Sequence, residues 1–168
     1  VLTFEDIKNN EDIKTYIKMA DATLASMRFT EHSFAHVVRC ADVAGGILQK
    51  FGYDDRTVEL AQIAAYMHDI GNVVNRIDHA QSGAVMAFRL LDKMGMKAEE
   101  ISRIVTAIGN HDEKTAFPVN EVAAALIIAD KSDVRRSRVR EEERATISED
   151  IHDRVNFSVK QSEVHVVN

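Results

Sequence analysis

Histidine and aspartate residues interrupt several otherwise apolar segments of this 168-residue chain. The clearest case is the segment AAYMHDIGN at residues 64–72, where a run of small and apolar residues ends at His68 and Asp69. A buried imidazole or carboxylate is costly unless another group compensates it. Further groups of this kind occupy comparable places at the ends or inner faces of apolar segments: His36, His79, His111 and Asp130. If the fold brings these residues into contact, they could form one reactive site.

A shared metal centre accounts for all of these groups together, because a carboxylate bound to a cation is no longer an isolated buried charge. The donors are nitrogen and oxygen atoms, and the single cysteine, Cys40, is not needed. This donor set suits Fe, Mn, Co, Ni or Zn and disfavours a thiolate zinc site. Six ligands fit two ions better than one, and the two oxygens of Asp69 can bridge them. The sequence therefore predicts two divalent transition-metal ions, with iron or manganese favoured.

The order of these residues resembles the HD-domain superfamily of metal-dependent phosphohydrolases. The segments HVVRCADVA, MHDIGN, HAQSGA, AIGNHD and IIADKSD are similar to successive motifs of that family and span about residues 28–140. The resemblance implies a helical bundle and a hydrolase of phosphoesters or phosphoanhydrides, like the small bacterial two-metal hydrolases of nucleotides. It also implies four core metal ligands, His36, His68, Asp69 and Asp130, with Asp69 as the bridge. The two further ligands found in two-metal members of the family would be His79 and His111.

Asn72 departs from the family pattern, because many phosphohydrolase members have lysine after HDIG, where it contacts the substrate phosphate. An amide can donate a hydrogen bond but supplies no charge. We assign Asn72 and Asp69 to the catalytic centre. Either positive charge comes from elsewhere in the chain, or the substrate depends less on phosphate contacts.

Lys131 and Arg135 are the candidates for substrate binding, since they lie nearest Asp130 in the charged run at residues 131–144. Guanidinium forks match the oxygens of a phosphate. His32 lies one turn before His36 and is predicted to contact the substrate at the rim of the site rather than to bind metal. The arginines further along the run are predicted to lie on a solvated, salt-bridged helix face: Arg138, Arg140 and Arg144.

Helices must position these residues, because the apolar residues recur at helical spacing along most of the chain. The predicted helices cover residues 11–27, 30–51, 55–70, 79–94, 101–108 and 121–131, with Asn10 and Thr30 as N-caps of the first two. The final segment, RVNFSVKQSEVHVVN, alternates and predicts two short strands. We therefore predict an all-α HD-type bundle at residues 1–153 and a short C-terminal β tail at residues 154–168.

Composition restricts the partners of the protein. A net charge of −6 argues against a nucleic-acid polymer as the ligand, but it leaves room for a small anionic substrate such as a nucleotide. No run approaches the roughly 20 apolar residues of a membrane span. A single cysteine fits a reducing cytoplasm. The sequence does not decide whether the protein forms a homo-oligomer.

Two other functions remain open at the level of sequence. The same ligand set with two irons occurs in HD-fold oxygenases, and the asparagine at position 72 slightly favours that alternative. The other alternative is a non-catalytic, nucleotide-sensing module, which is disfavoured because every ligand position is filled.

Overall fold

A computed structural model of the chain describes residues 1–167, and these residues form helices joined by short loops. None of the helices in this range is long and apolar enough to cross a membrane. Short 3-10 helices cover Ile70–Val73, Arg136–Arg138 and Glu141–Thr146. The α-helices are α1 (Phe4–Asn9), α2 (Glu11–Ser26), α3 (Phe34–Lys50), α4 (Asp55–Met67), α5 (His79–Lys93), α6 (Ala98–Gly109), α7 (Glu121–Ser132) and α8 (Ile151–Ser158). The predicted all-α bundle is confirmed.

Helix α4 lies at the centre of the bundle and packs against α1, α3, α6 and α7. Residues 63–67 at its C-terminal end are all buried, and the small side chains of Ala64 and Ala65 allow the neighbouring helices to approach closely. Helix α7 is also apolar on most of its surface, with buried Val122, Ala123 and Leu126. Burying this apolar area stabilises the fold at roughly 25 cal/mol per Å². The same packing brings the ends of several helices to one place.

Side-chain caps fix where the helices begin. Asn10 Oδ1 accepts a hydrogen bond of 3.0 Å from the amide of Ile13, as predicted for the start of α2. The predicted cap at Thr30 is wrong, since Ser33 caps α3 instead. The reason is local: the Thr30 carbonyl accepts a bond of 2.7 Å from His32 Nδ1, which holds residues 30–33 outside the helix.

The predicted β tail does not form in the described part of the chain, residues 154–167. Asp150 accepts hydrogen bonds from the amides of His152 and Asp153, and this cap starts α8 across the predicted boundary at residue 153. Beyond α8, Ser162 Oγ donates to the Ser132 carbonyl at 2.7 Å, so the tail contacts the bundle without forming a strand. Alternation alone cannot make a strand when no neighbouring strand offers backbone partners. Asn168, the last residue of the predicted tail, lies outside the described residues.

Candidate metal centre

The structure brings the predicted metal ligands together from five places in the bundle. His36 lies on α3, His68 and Asp69 follow α4, and His79 begins α5. His111 lies in the segment after α6, and Asp130 lies in the last turn of α7. All of these residues are buried except Asp130, whose side chain is 11% exposed. The Asp130 side of the cluster therefore faces the surface.

The two carboxylate oxygens of Asp69 face different imidazoles. Oδ2 lies 3.1 Å from His68 Nε2 and 3.5 Å from His36 Nε2. Oδ1 lies 3.6 Å from His79 Nε2 and 3.8 Å from His111 Nε2. On the Oδ2 side of Asp69, a second carboxylate is present, with Asp130 Oδ1 3.3 Å from His36 Nε2. Asp69 thus stands between two groups of donors, which is the arrangement a bridging carboxylate needs.

Hydrogen bonds to the outer ring nitrogens orient the imidazoles. The Nδ1 atoms of three rings donate to backbone carbonyls: His68 to Ala65 at 2.7 Å, His79 to Arg76 at 3.0 Å and His111 to Ile108 at 2.6 Å. A carbonyl oxygen cannot donate, so each Nδ1 carries a proton, and each ring presents an Nε2 lone pair to the interior whenever it is in its neutral form. This is how proteins prepare histidines for metal binding.

The inward atoms are poorly satisfied by one another. His79 Nε2 and His111 Nε2 lie 3.2 Å apart, and in the neutral rings both offer a lone pair and no proton. His68 Nε2 and Asp69 Oδ2 are buried and have no hydrogen-bond partner within the described residues. Buried polar atoms without partners are expensive, and a cation among them removes that cost. Nitrogen and oxygen donors at these distances fit divalent transition metals.

The pKa values of the imidazoles indicate where positive charge is required. Burial alone would lower the pKa of His68, but the carboxylates of Asp69 and Asp130 outweigh burial and raise it to about 10. Burial and the charge of His68 instead lower the pKa of His111 to about 3. The pKa of His36, on the same side of Asp69, is raised as well, so the charged form is favoured at His36 and His68 and the neutral form at His111. A divalent ion satisfies the same demand for charge.

A buried carboxylate outside the cluster holds the first histidine. Asp133 Oδ2 accepts a hydrogen bond of 2.8 Å from His36 Nδ1. Arg135 and Arg39 lie 2.8 Å and 3.2 Å from the other oxygen of Asp133. Burial would raise the pKa of Asp133, but His36 and Arg135 outweigh it and lower the pKa to about 2. An ionised Asp133 fixes the orientation of His36 and increases its basicity.

The predicted substrate residues lie in different environments. Arg135 faces Asp133 and Glu31 on the outer side of the site, so its guanidinium is already paired. Lys131 Nζ bonds to Asp130 at 2.8 Å and to Glu113 at 3.1 Å, at the exposed side of the cluster. His32 points inward, with Nε2 4.0 Å from Asp69 Oδ2. Lys131 and His32 therefore both lie beside the cluster of predicted metal ligands. Arg135 lies outside that cluster and pairs with Asp133, which holds His36.

Asn72 is fully buried beside the bridging carboxylate. Its Nδ2 donates to Asp69 Oδ1 at 3.1 Å and to the Asp69 carbonyl at 3.0 Å. These bonds hold the carboxylate in one orientation. Its Oδ1 accepts a bond of 3.4 Å from Arg76 Nη1. Arg76 was not predicted to belong to the site, because it lies in an irregular segment where no periodicity indicates its direction.

The turn that carries Asp69 packs directly on the start of α5. A Cβ atom on Gly71 would collide with the backbone oxygen of His79 and the backbone nitrogen of Gly83, so only glycine permits this approach. Ser82 Oγ also donates to the Gly71 carbonyl at 3.2 Å. The contact sets the position of His79 relative to Asp69.

Comparison with known proteins gives three matches. The model of the HD domain family matches residues 33–151, a range that includes every residue of the cluster. The uncharacterized protein MJ1020 from Methanocaldococcus jannaschii is 24% identical over 162 residues, and the match covers 83% of this chain but only 62% of that relative. A crystal structure described as a predicted HD superfamily hydrolase, from an uncultured Thermotogales bacterium, has a TM-score of 0.58 and 24% sequence identity, covering 88% of this chain and 87% of that chain. At 24% identity, the similarity to this crystal structure concerns the fold alone.

Proposed function

This chain belongs to the HD domain family, and from that premise we propose that it is a metal-dependent phosphohydrolase. The substrate is a small anionic phosphoester or phosphoanhydride, with a nucleotide favoured, and the cofactors are two divalent transition-metal ions, with iron or manganese favoured. The observation that carries the proposal is the position of Asp69, whose two oxygens face separate groups of imidazoles.

The ligands divide between the two sides of Asp69. His36, His68 and Asp130 would hold one ion, and they form one compact group of donors. His79 and His111 would hold the second together with Asp69. Bound divalent ions supply Lewis acidity toward phosphoryl oxygens and lower the pKa of water toward about 7.

The residues of the chain perform the remaining tasks. Asn72 holds the Asp69 carboxylate through the bond to Oδ1. The Lys131 side chain is 40% exposed at the open side of the cluster, where its ammonium group can meet an anionic substrate. The pKa of Lys131 is raised, because its pairing with Asp130 outweighs the effect of burial, so the charge is present at neutral pH. Positioning and charge stabilisation of this kind account for most catalysis of phosphoryl transfer.

A di-iron oxygenase is the second candidate function. The observation that favours it is the uncharged Asn72 in the place of a phosphate-binding lysine. An oxygenase requires a metal that changes oxidation state, whereas a hydrolase can work with a redox-inert ion such as Mn²⁺. The third candidate, a nucleotide-sensing module, would bind the ligand without turnover. The buried single cysteine, Cys40, supports a cytoplasmic location.

Turnover without oxygen separates these functions. We expect the Mn²⁺-loaded protein, under strict anaerobiosis, to release phosphate or a nucleotide product from at least one member of a nucleotide panel. A preparation of the Asp69→Asn variant is the control for contaminating phosphatases, and it should release none. If no nucleotide yields a product and an iron-loaded sample consumes oxygen when given an organic substrate, the hydrolase function is wrong and the oxygenase function takes its place. Nucleotide binding without turnover in either metal form would leave the sensing module.

A further inference from the structure

Arg76 lies in the loop between the 3-10 helix Ile70–Val73 and helix α5, directly beside the second group of predicted ligands, His79 and His111. Its Nη1 atom is 3.4 Å from His79 Nε2 and 3.4 Å from Asn72 Oδ1. The Arg76 guanidinium is therefore close to Nε2 of His79, a predicted metal ligand. It is also close to Asn72, which occupies the position of the family lysine. Arg76 is half-buried, so a substrate can reach it.

We propose that Arg76 binds the phosphate of the substrate and supplies the positive charge that Asn72 lacks. The inference deepens the proposed hydrolase and rests on it for the identity of the ligand as a phosphate ester or anhydride. The geometry that carries it is the combination of a position beside the ligand cluster with a guanidinium that forms no salt bridge within residues 1–167.

The charge of Arg76 is not paired within residues 1–167. No carboxylate oxygen of this range lies within salt-bridge distance of its guanidinium, and its hydrogen bonds there are both made by Nη1. The other cations near the site differ: Lys131 is paired with Asp130 and Glu113, and Arg135 with Asp133 and Glu31. Arg76 is the one of these three whose charge is available for an incoming anion.

An aromatic ring holds the guanidinium without neutralising it. The Arg76 Cζ atom lies 5.7 Å from the centroid of the Phe29 ring, within the range of a cation–π contact. Such a contact orients the planar group, and a planar fork can then bind two phosphate oxygens at once.

The contact with His79 does not compete with this role. The Nε2 atom of His79 has one lone pair, which can either accept a hydrogen bond from Arg76 or bind an ion. If that lone pair held a metal ion, the Nη1 atom of Arg76 would stay where it is and its donor would be free for another acceptor. Arg76 would then present donors to a phosphate that lies against the cluster.

Direct binding of inorganic phosphate tests the inference without depending on turnover. Isothermal titration calorimetry is performed on the Mn²⁺-loaded protein, with the metal content of every sample measured. We expect Arg76→Ala to weaken phosphate binding by about 10- to 100-fold with unchanged metal content, since bonds to charged groups are lost. Arg76→Lys keeps the charge but loses the fork, and should recover part of the affinity.

Arg89→Ala is the matched control, because it removes an exposed arginine of α5 and changes the net charge equally. The inference is overturned if Arg76→Ala binds phosphate as tightly as Arg89→Ala. It is also overturned if Arg76→Ala loses metal together with phosphate, because Arg76 would then position His79 instead. Failure of the nucleotide panel would count against the hydrolase alone, since this titration measures binding and not hydrolysis.

Discussion

Replacement of Asp69 by alanine is expected to abolish metal binding and activity while the helices remain intact. The carboxylate lies between both groups of imidazoles, so its loss removes a donor from each side. Removal of one member of a catalytic unit commonly costs about as much as removal of the whole, and we expect activity to fall by about 10³-fold or more. Metal analysis, activity assays and circular dichroism of the purified variant measure the three effects.

Asp42→Ala is the matched control for Asp69→Ala. Asp42 is an exposed carboxylate on α3, so its removal changes the charge without touching the cluster. This variant should keep the metal content and activity of the wild type. If Asp69→Ala retains as much metal as Asp42→Ala, Asp69 does not bridge the site.

Replacement of Gly71 by alanine is expected to destabilise the protein by about 3 kcal/mol or more, at the upper end of the cost of overpacking. The added Cβ collides with backbone atoms of His79 and Gly83, and the backbone of a helix cannot move aside as a flexible side chain can. Because α5 must shift, His79 leaves its place beside Asp69 and the metal content should also fall. Urea denaturation measures the free energy of unfolding of the variant and of the wild type.

Gly46→Ala is the control for Gly71→Ala, since a Cβ at Gly46 would meet nothing within 4 Å. Gly46 lies inside α3, where alanine is favoured over glycine by roughly 0.5–1 kcal/mol, so this variant should be slightly more stable than the wild type. Equal stability of the two variants would contradict the close contact between the Asp69 turn and α5.

The helical fold and the cluster could be predicted because both leave local signals in the sequence. Periodic apolar residues indicate buried helices, and polar residues that end those helices must be compensated, as at His68 and Asp130. The tail could not be predicted in this way. Its alternation is a local pattern, whereas a strand requires a partner elsewhere in the fold.

The supporting residues were harder to predict, because their roles depend on contacts between distant parts of the chain. His36 and Asp133 lie 97 positions apart, and the bond between them leaves no periodic pattern. Arg135 is close to Asp130 in sequence, which made it a candidate for substrate binding, yet its guanidinium turns to Asp133. Arg76 lies in a loop whose path is set by the packing of Gly71 on α5, so its direction required the structure.

Anomalous diffraction from metal-loaded crystals tests the central claim most directly. With data collected on both sides of the absorption edge of the added metal, we expect two peaks per chain, one on each side of Asp69. The separation should be about 3.5–4 Å, as is usual for two-metal sites. One well-occupied peak, with the His79 and His111 rings turned away from it, would contradict the two-metal account and leave a mononuclear centre.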